Sequence, residues 1–161
     1  DPASQVGPLI NENQRGIVEE LVVDALGKGA TALTGGERPS GPGFYYPPTV
    51  LAGVPGDARA LTEEIFGPVA PIATFQTDDE AIAAANATEF GLVAYLFTQD
   101  LGRAFNTIER LQTGMVGLNR GVISNPASPF GGVKQSGYGR EGGPEGLQEY
   151  LETKYVAMNL G

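Results

Sequence analysis

The sequence predicts an α/β domain, on two observations. Segments with helical spacing of apolar residues alternate with short apolar runs of strand length, and 41% of the 161 residues are hydrophobic against 18% charged. The alternation implies a parallel sheet covered on both faces. The composition and length suffice for one compact domain with a core of its own.

The elements follow in order. Over residues 11–28, Ile17, Leu21, Val22, Ala25 and Leu26 recur at three- and four-residue spacing, with acids early and Lys28-Gly29 at the end, which predicts an amphipathic helix. Residues 30–33 read as a short buried strand closed by Gly35-Gly36, and residues 37–48 as a Gly/Pro loop carrying Phe44, Tyr45 and Tyr46. A strand over 49–52 follows. Residues 69–75 read as a further apolar strand, 78–86 as a helix with Asp78 as N-cap, and 92–97 as another strand. Residues 100–111 predict a helix with Ala104, Phe105, Ile108 and Leu111 on one face, leading to a strand over 114–118. The pattern then breaks into a Gly/Ser/Pro loop to about residue 140. A short helix near 144–148 and a final strand over 150–158 complete the chain. That last strand carries Leu151, Tyr155, Val156 and Met158 with only a short tail after it. An apolar edge of this kind invites pairing with another chain, so residues 149–161 are expected to be an oligomer contact appended to a main body of 1–148.

Several function classes drop out. Nineteen acidic and ten basic residues leave a net charge of -9, which repels nucleic acid and anionic lipid. No apolar run approaches the roughly 20 residues of a membrane span, and no signal segment opens the chain, so a cytoplasmic protein is expected. The absence of cysteine and histidine removes disulfides, thiolate chemistry, imidazole bases and ordinary zinc sites from these residues. The opening at Asp1 without an initiator methionine points to a processed, cleaved or truncated product. Gly-Gly pairs at 35–36, 131–132 and 142–143 form neither G-x-G-x-x-G after a strand nor a G-x-x-x-x-G-K-[ST] phosphate loop.

Two stretches could carry chemistry. Thr62-Glu63-Glu64-Ile65-Phe66-Gly67-Pro68 sets two acids, an aromatic and a Gly-Pro turn before a strand. A carboxylate can accept both hydrogen bonds from vicinal ribose hydroxyls, and a ring offers a flat apolar face to a nicotinamide. The plainer alternative is a solvated acidic turn with Phe66 plugging the core. The second stretch is 119–140, where Ser124 and Asn125 could donate to a substrate carboxylate and Arg120 could add charge. Its alternative is a glycine-rich crossing that lets two backbones approach, with Lys134 and Arg140 as structural ion-pair or carbonyl-binding groups.

Taken together, these segments resemble the aldehyde dehydrogenase superfamily from about Val6 onward. Glu63-Glu64-Ile65-Phe66-Gly67-Pro68, Asn86-Ala87-Thr88-Glu89-Phe90-Gly91-Leu92 and Pro129-Phe130-Gly131-Gly132-Val133-Lys134, continuing through Ser136-Gly137 to Gly139-Arg140-Glu141, are similar to its motifs. Gly121-Val122-Ile123-Ser124-Asn125 and Glu149-Tyr150-Leu151-Glu152-Thr153-Lys154-Tyr155 resemble the succinate-semialdehyde type. The resemblance implies a C-terminal part of the catalytic domain plus an oligomerisation strand. It implies Glu64 at the nicotinamide ribose, Phe66 against the nicotinamide ring, and Ser124 at the distal carboxylate of a small-molecule aldehyde. The cofactor would be NAD or NADP and the assembly a homo-oligomer. The parent reaction would be oxidation of succinate semialdehyde to succinate, opened by a Cys thiolate and closed by a Glu-activated water. None of these 161 residues is a cysteine, so the chain alone is expected to be inactive, with no catalytic residue and no metal site. The alternatives are another aldehyde specificity or a truncated, non-catalytic assembly module.

Overall fold

A computed structural model describes residues 3–161; the expectation attached to Asp1 lies outside them. The chain is α/β and divides into two compact units, one ending at Thr77 and the other Asp78–Gly161.

In the first unit, helix α1 (Glu12–Gly27) starts where Asn11 caps it, its side chain accepting from the Gln14 amide at 2.8 Å. Val18, Leu21, Val22 and Ala25 recur at helical spacing and are fully buried. Three of them, Val18, Val22 and Ala25, share a core cluster with Tyr46, Leu51, Val54 and Ala58. Each large aliphatic side chain so buried contributes about 1.5–3 kcal/mol. The helix covers a three-stranded sheet, ordered β1 (Thr31–Thr34), β2 (Thr49–Ala52), β3 (Val69–Ile72). Strand β2 is central and pairs antiparallel with β1 and parallel with β3. The strand expected to be buried at 30–33 is instead the sheet's edge: Leu33 is 66% exposed, and the β1–β2 register shifts between Ala32 and Thr34. Edge position removes the cover that its apolar composition suggested.

In the second unit, α2 (Asp78–Asn86) packs against α3 (Leu101–Arg110), and α3 links the parallel pair β5 (Val93–Leu96) and β6 (Met115–Leu118). A separate two-stranded antiparallel ladder joins β4 (Phe90–Gly91) to β7 (Val133–Lys134). Asp78 is the first helical residue of α2, not the residue before it, and contributes with Asp79 and Glu80 a first turn of acids that suits the helix dipole. Asp100 does cap α3, accepting from the Arg103 amide at 2.9 Å. The buried face of α3 is Ala104 and Thr107, while Phe105 is 59% exposed. The last helix is α4 (Gly143–Gln148).

The described residues differ from the expected picture in two respects. The described strands build three small sheets with mixed pairing instead of one covered parallel sheet. The Gly/Pro-rich loop between β1 and β2 lets the chain reverse, and reversal gives an antiparallel pair where a helical crossover would give a parallel one. Residues 150–158 form no strand: after Leu151 no secondary structure is assigned, and Tyr150, Leu151, Tyr155, Val156 and Met158 are 66–88% exposed. A strand exists only with a partner ladder, and no described strand offers one.

Candidate functional site

The acidic turn sorts its two carboxylates into different tasks. Arg59 sits in a 3-10 turn (Arg59–Leu61) whose first amide donates to Asp24 at 2.9 Å. Its guanidinium grips Glu63 with both carboxylate oxygens engaged, at 2.6 and 2.9 Å. That hydrogen bond holds the Glu63 carboxyl below its ordinary 4.5, and the Arg59 amide holds Asp24 below its ordinary 3.8. Glu64, one residue on, is exposed, and among the described residues its carboxylate accepts no hydrogen bond and joins no ion pair.

Phe66 is not a core plug. Its ring is 75% exposed and its backbone is left-handed, with φ 46°, a conformation uncommon for a residue with a bulky side chain. Gln14 in the first turn of α1 holds it: the side-chain amide donates to the carbonyls of Ile65 at 2.9 Å and Phe66 at 3.4 Å. Gly67 then passes so close to α1 that a Cβ there would lie 2.6 Å from Val18 Cγ2. Helix and turn are thus locked together, with an unpaired carboxylate and a bare ring projecting beyond. Gln14 was not legible as a site residue, because its partners lie 51 and 52 positions away and its own neighbourhood reads only as a helix start.

Ser124 belongs to the other unit. It is exposed and follows an excursion after β6 that is closed at both ends. Asn119, left-handed with φ 53°, accepts from the Thr98 amide at 2.9 Å and donates to the Thr98 carbonyl at 2.8 Å. Ile123 returns onto Gly117, where a Cβ would lie 2.8 Å from Ile123 Cγ2. Asn125 Oδ1 accepts from the Ala127 amide at 3.0 Å in an Asx turn, which fixes the side chain without using its NH2 donors.

The glycine-rich remainder is a crossing of backbones. A Cβ on Gly114 would lie 2.0 Å from the Gly131 carbonyl oxygen, and one on Gly91 2.7 Å from that of Gln112. Lys134 donates to the carbonyls of Asn86 and Thr88 at 2.8 and 3.0 Å, and Arg140 to those of Gly132 and Gly139 at 2.8 and 2.7 Å. Both cations act as carbonyl-binding braces. A cavity of about 440 Å³ beside this crossing is lined by Phe130, Arg140, Glu149 and Tyr150 among others. Among the described residues no cluster of three or more His, Cys, Asp or Glu could hold a metal, and no helix is long and apolar enough to cross a membrane.

Residues 1–156 match the family model described as the aldehyde dehydrogenase family. The chain belongs to that family. It is 56% identical over 158 residues to a succinate-semialdehyde dehydrogenase of Paenarthrobacter nicotinovorans, covering 98% of this chain and 35% of that protein. To a succinate-semialdehyde dehydrogenase of Escherichia coli K12 named for NADP(+) it is 47% identical, covering 99% of this chain and 33% of that one. The crystal structure of a Mycobacterium tuberculosis aldehyde dehydrogenase complexed with NAD+ superposes with a TM-score of 0.90 at 42% identity, over 100% of this chain and 34% of that one. The chain thus spans about one third of the length of the family members it matches. Family members are accordingly described with either cofactor.

Proposed function

We propose that this chain forms part of an enzyme that oxidises succinate semialdehyde to succinate with NAD or NADP. Within it, Glu64 accepts hydrogen bonds from the nicotinamide ribose, Phe66 lies against the nicotinamide ring, and Ser124 donates to the distal carboxylate of the aldehyde. The observation that carries the reading is the division of labour in the acidic turn. Arg59 engages both oxygens of Glu63, while Glu64 keeps both of its own open beside an exposed ring held by Gln14. An unpaired carboxylate that can accept from two vicinal hydroxyls, next to a bare aromatic face, is what a ribose with its heterocycle requires. The chemistry supplied by a bound NAD(P)+ is acceptance of two electrons as hydride; these residues bind, orient and exclude water. The thiolate nucleophile would come from residues other than these 161, which include no cysteine.

The test is Glu64→Gln in the enzyme that contains this sequence. Hydride transfer should slow and the cofactor KM should rise, with the melting temperature nearly unchanged, because the group has no folded partner to lose. An unchanged turnover number together with an unchanged cofactor KM would remove the role.

The same proposal makes residues 149–161 the contact to a second copy in a cytoplasmic homo-oligomer. A second reading, an assembly module without catalysis, is favoured by one feature: the apolar residues of that tail lie exposed. The two readings part on aldehyde turnover by the native protein.

A further inference from the structure

The ten basic residues of this acidic chain are almost all occupied. Arg15, Lys28, Arg38, Arg59, Arg103 and Arg110 are held in ion pairs, and Lys134 and Arg140 end on main-chain carbonyls. Lys154 lies in the exposed tail. The remaining cation, Arg120, stands in the excursion that ends at Ser124.

Its position is built. The Nε donates to the Val122 carbonyl at 2.7 Å, which restrains the stem and leaves both terminal nitrogens without an acceptor among the described residues. Asn119, immediately before it, is fixed on Thr98 through both ends of its amide, and Ile123, immediately before Ser124, is seated on Gly117. Arg120 and Ser124 therefore flank one short loop whose ends are both anchored. The loop leaves the C-terminal end of β6 in the parallel β5–β6 pair, the edge where open α/β sheets receive ligands. A restrained guanidinium with two free nitrogens matches the two oxygens of a carboxylate, and a charge-assisted fork is the stronger form of such a contact.

We propose that Arg120 is a specificity-determining contact for the anionic end of the substrate, acting beside Ser124 and selecting aldehydes whose far end carries a carboxylate or a similar oxyanion. This rests on the reading of Ser124 given above.

The experiment compares succinate semialdehyde with butanal, which has the same carbon count and no charge, on the intact enzyme and its Arg120→Gln, Arg120→Lys and Ser124→Ala variants. In Arg120→Gln the KM for succinate semialdehyde should rise roughly ten- to hundredfold, the range of a lost charge-assisted hydrogen bond, with kcat and the butanal kinetics retained. Arg120→Lys should fall between, since a point charge keeps attraction but loses the fork. A change of equal size for both aldehydes would assign Arg120 to loop structure and overturn the proposal. So would an unchanged preference in Arg120→Gln alongside a reduced one in Ser124→Ala, which leaves the Ser124 reading standing. An intact enzyme that does not prefer succinate semialdehyde over butanal would overturn both.

Discussion

At the scale of single residues, adjacent and chemically identical groups diverge because of what reaches them. Glu63 and Glu64 differ in one respect: the Arg59 guanidinium reaches the first and not the second. Glu63→Gln should accordingly leave NAD(P)H affinity intact, whereas Glu64→Gln should lower it; fluorescence titration of the two variants of the intact enzyme separates them. Gln14 offers a second test. Replacing it with leucine removes the two donations that hold the turn, each worth about 0.5–1.5 kcal/mol net. Phe66 is then free to leave its left-handed conformation. The cofactor dissociation constant should rise several-fold, while the melting temperature moves far less than for a core substitution. An unchanged dissociation constant would mean that the Phe66 backbone holds itself.

At the scale of elements, two glycines and one asparagine set how closely the pieces meet. Gly67→Ala pushes a methyl to 2.6 Å from a side-chain atom of fully buried Val18, an overpacking that costs about 1–3 kcal/mol. Gly114→Ala sets a methyl 2.0 Å from a backbone oxygen, and backbone yields less than a side-chain tip. The second substitution should therefore lower the urea midpoint more than the first, and the reverse ranking would place the tighter contact at α1. Asn119→Ala loses both bonds to Thr98 and a residue that tolerates positive φ, together about 1–3 kcal/mol. Such contacts were legible only in part. The apolar spacing located α1 and α3, but their caps Asn11 and Asp100 came from the structure, and the one cap read from the sequence, Asp78, is the first helical residue of α2. The edge position of β1 and the exposure of Phe105 depend on which surfaces approach, and residue spacing carries no record of that.

At the scale of the whole molecule, the first unit carries carboxyls and a phenol whose shifted values tie stability to pH. Among the described residues, Glu12 is held below its ordinary value by the Arg15 and Arg38 guanidinia, Asp24 by the Arg59 amide, and Glu63 by the Arg59 side chain. A depressed folded value means stabilisation that is present above the unfolded value and lost as pH falls through the folded one. Tyr46 runs the other way: burial, then the nearby Glu19 charge, raises its phenol above 10.0, so its contribution is present below that value and lost as pH rises past it. The melting temperature should be flat near neutrality, fall below about pH 4 and fall again above about pH 10. A melting curve that is insensitive below about pH 4 would show that the three carboxyls do not differ between folded and unfolded chains.

The sequence by itself determined the α/β class, the positions of the helices and of β2, the family resemblance, and the turn and loop in which Glu64, Phe66 and Ser124 lie. These follow from local periodicity, capping chemistry and contiguous motifs, all of which are properties of neighbours along the chain. Only the tertiary structure decided that Glu63 is held by Arg59 and Glu64 open, that Gln14 holds Phe66 from the first turn of α1, that Lys134 and Arg140 brace carbonyls while Arg120 forms no ion pair among the described residues, and that the tail from 150 finds no ladder among them. Each of those outcomes is settled by which partner arrives at a group through space, and hydrogen bonds and ion pairs form within a few ångströms whatever the separation in sequence.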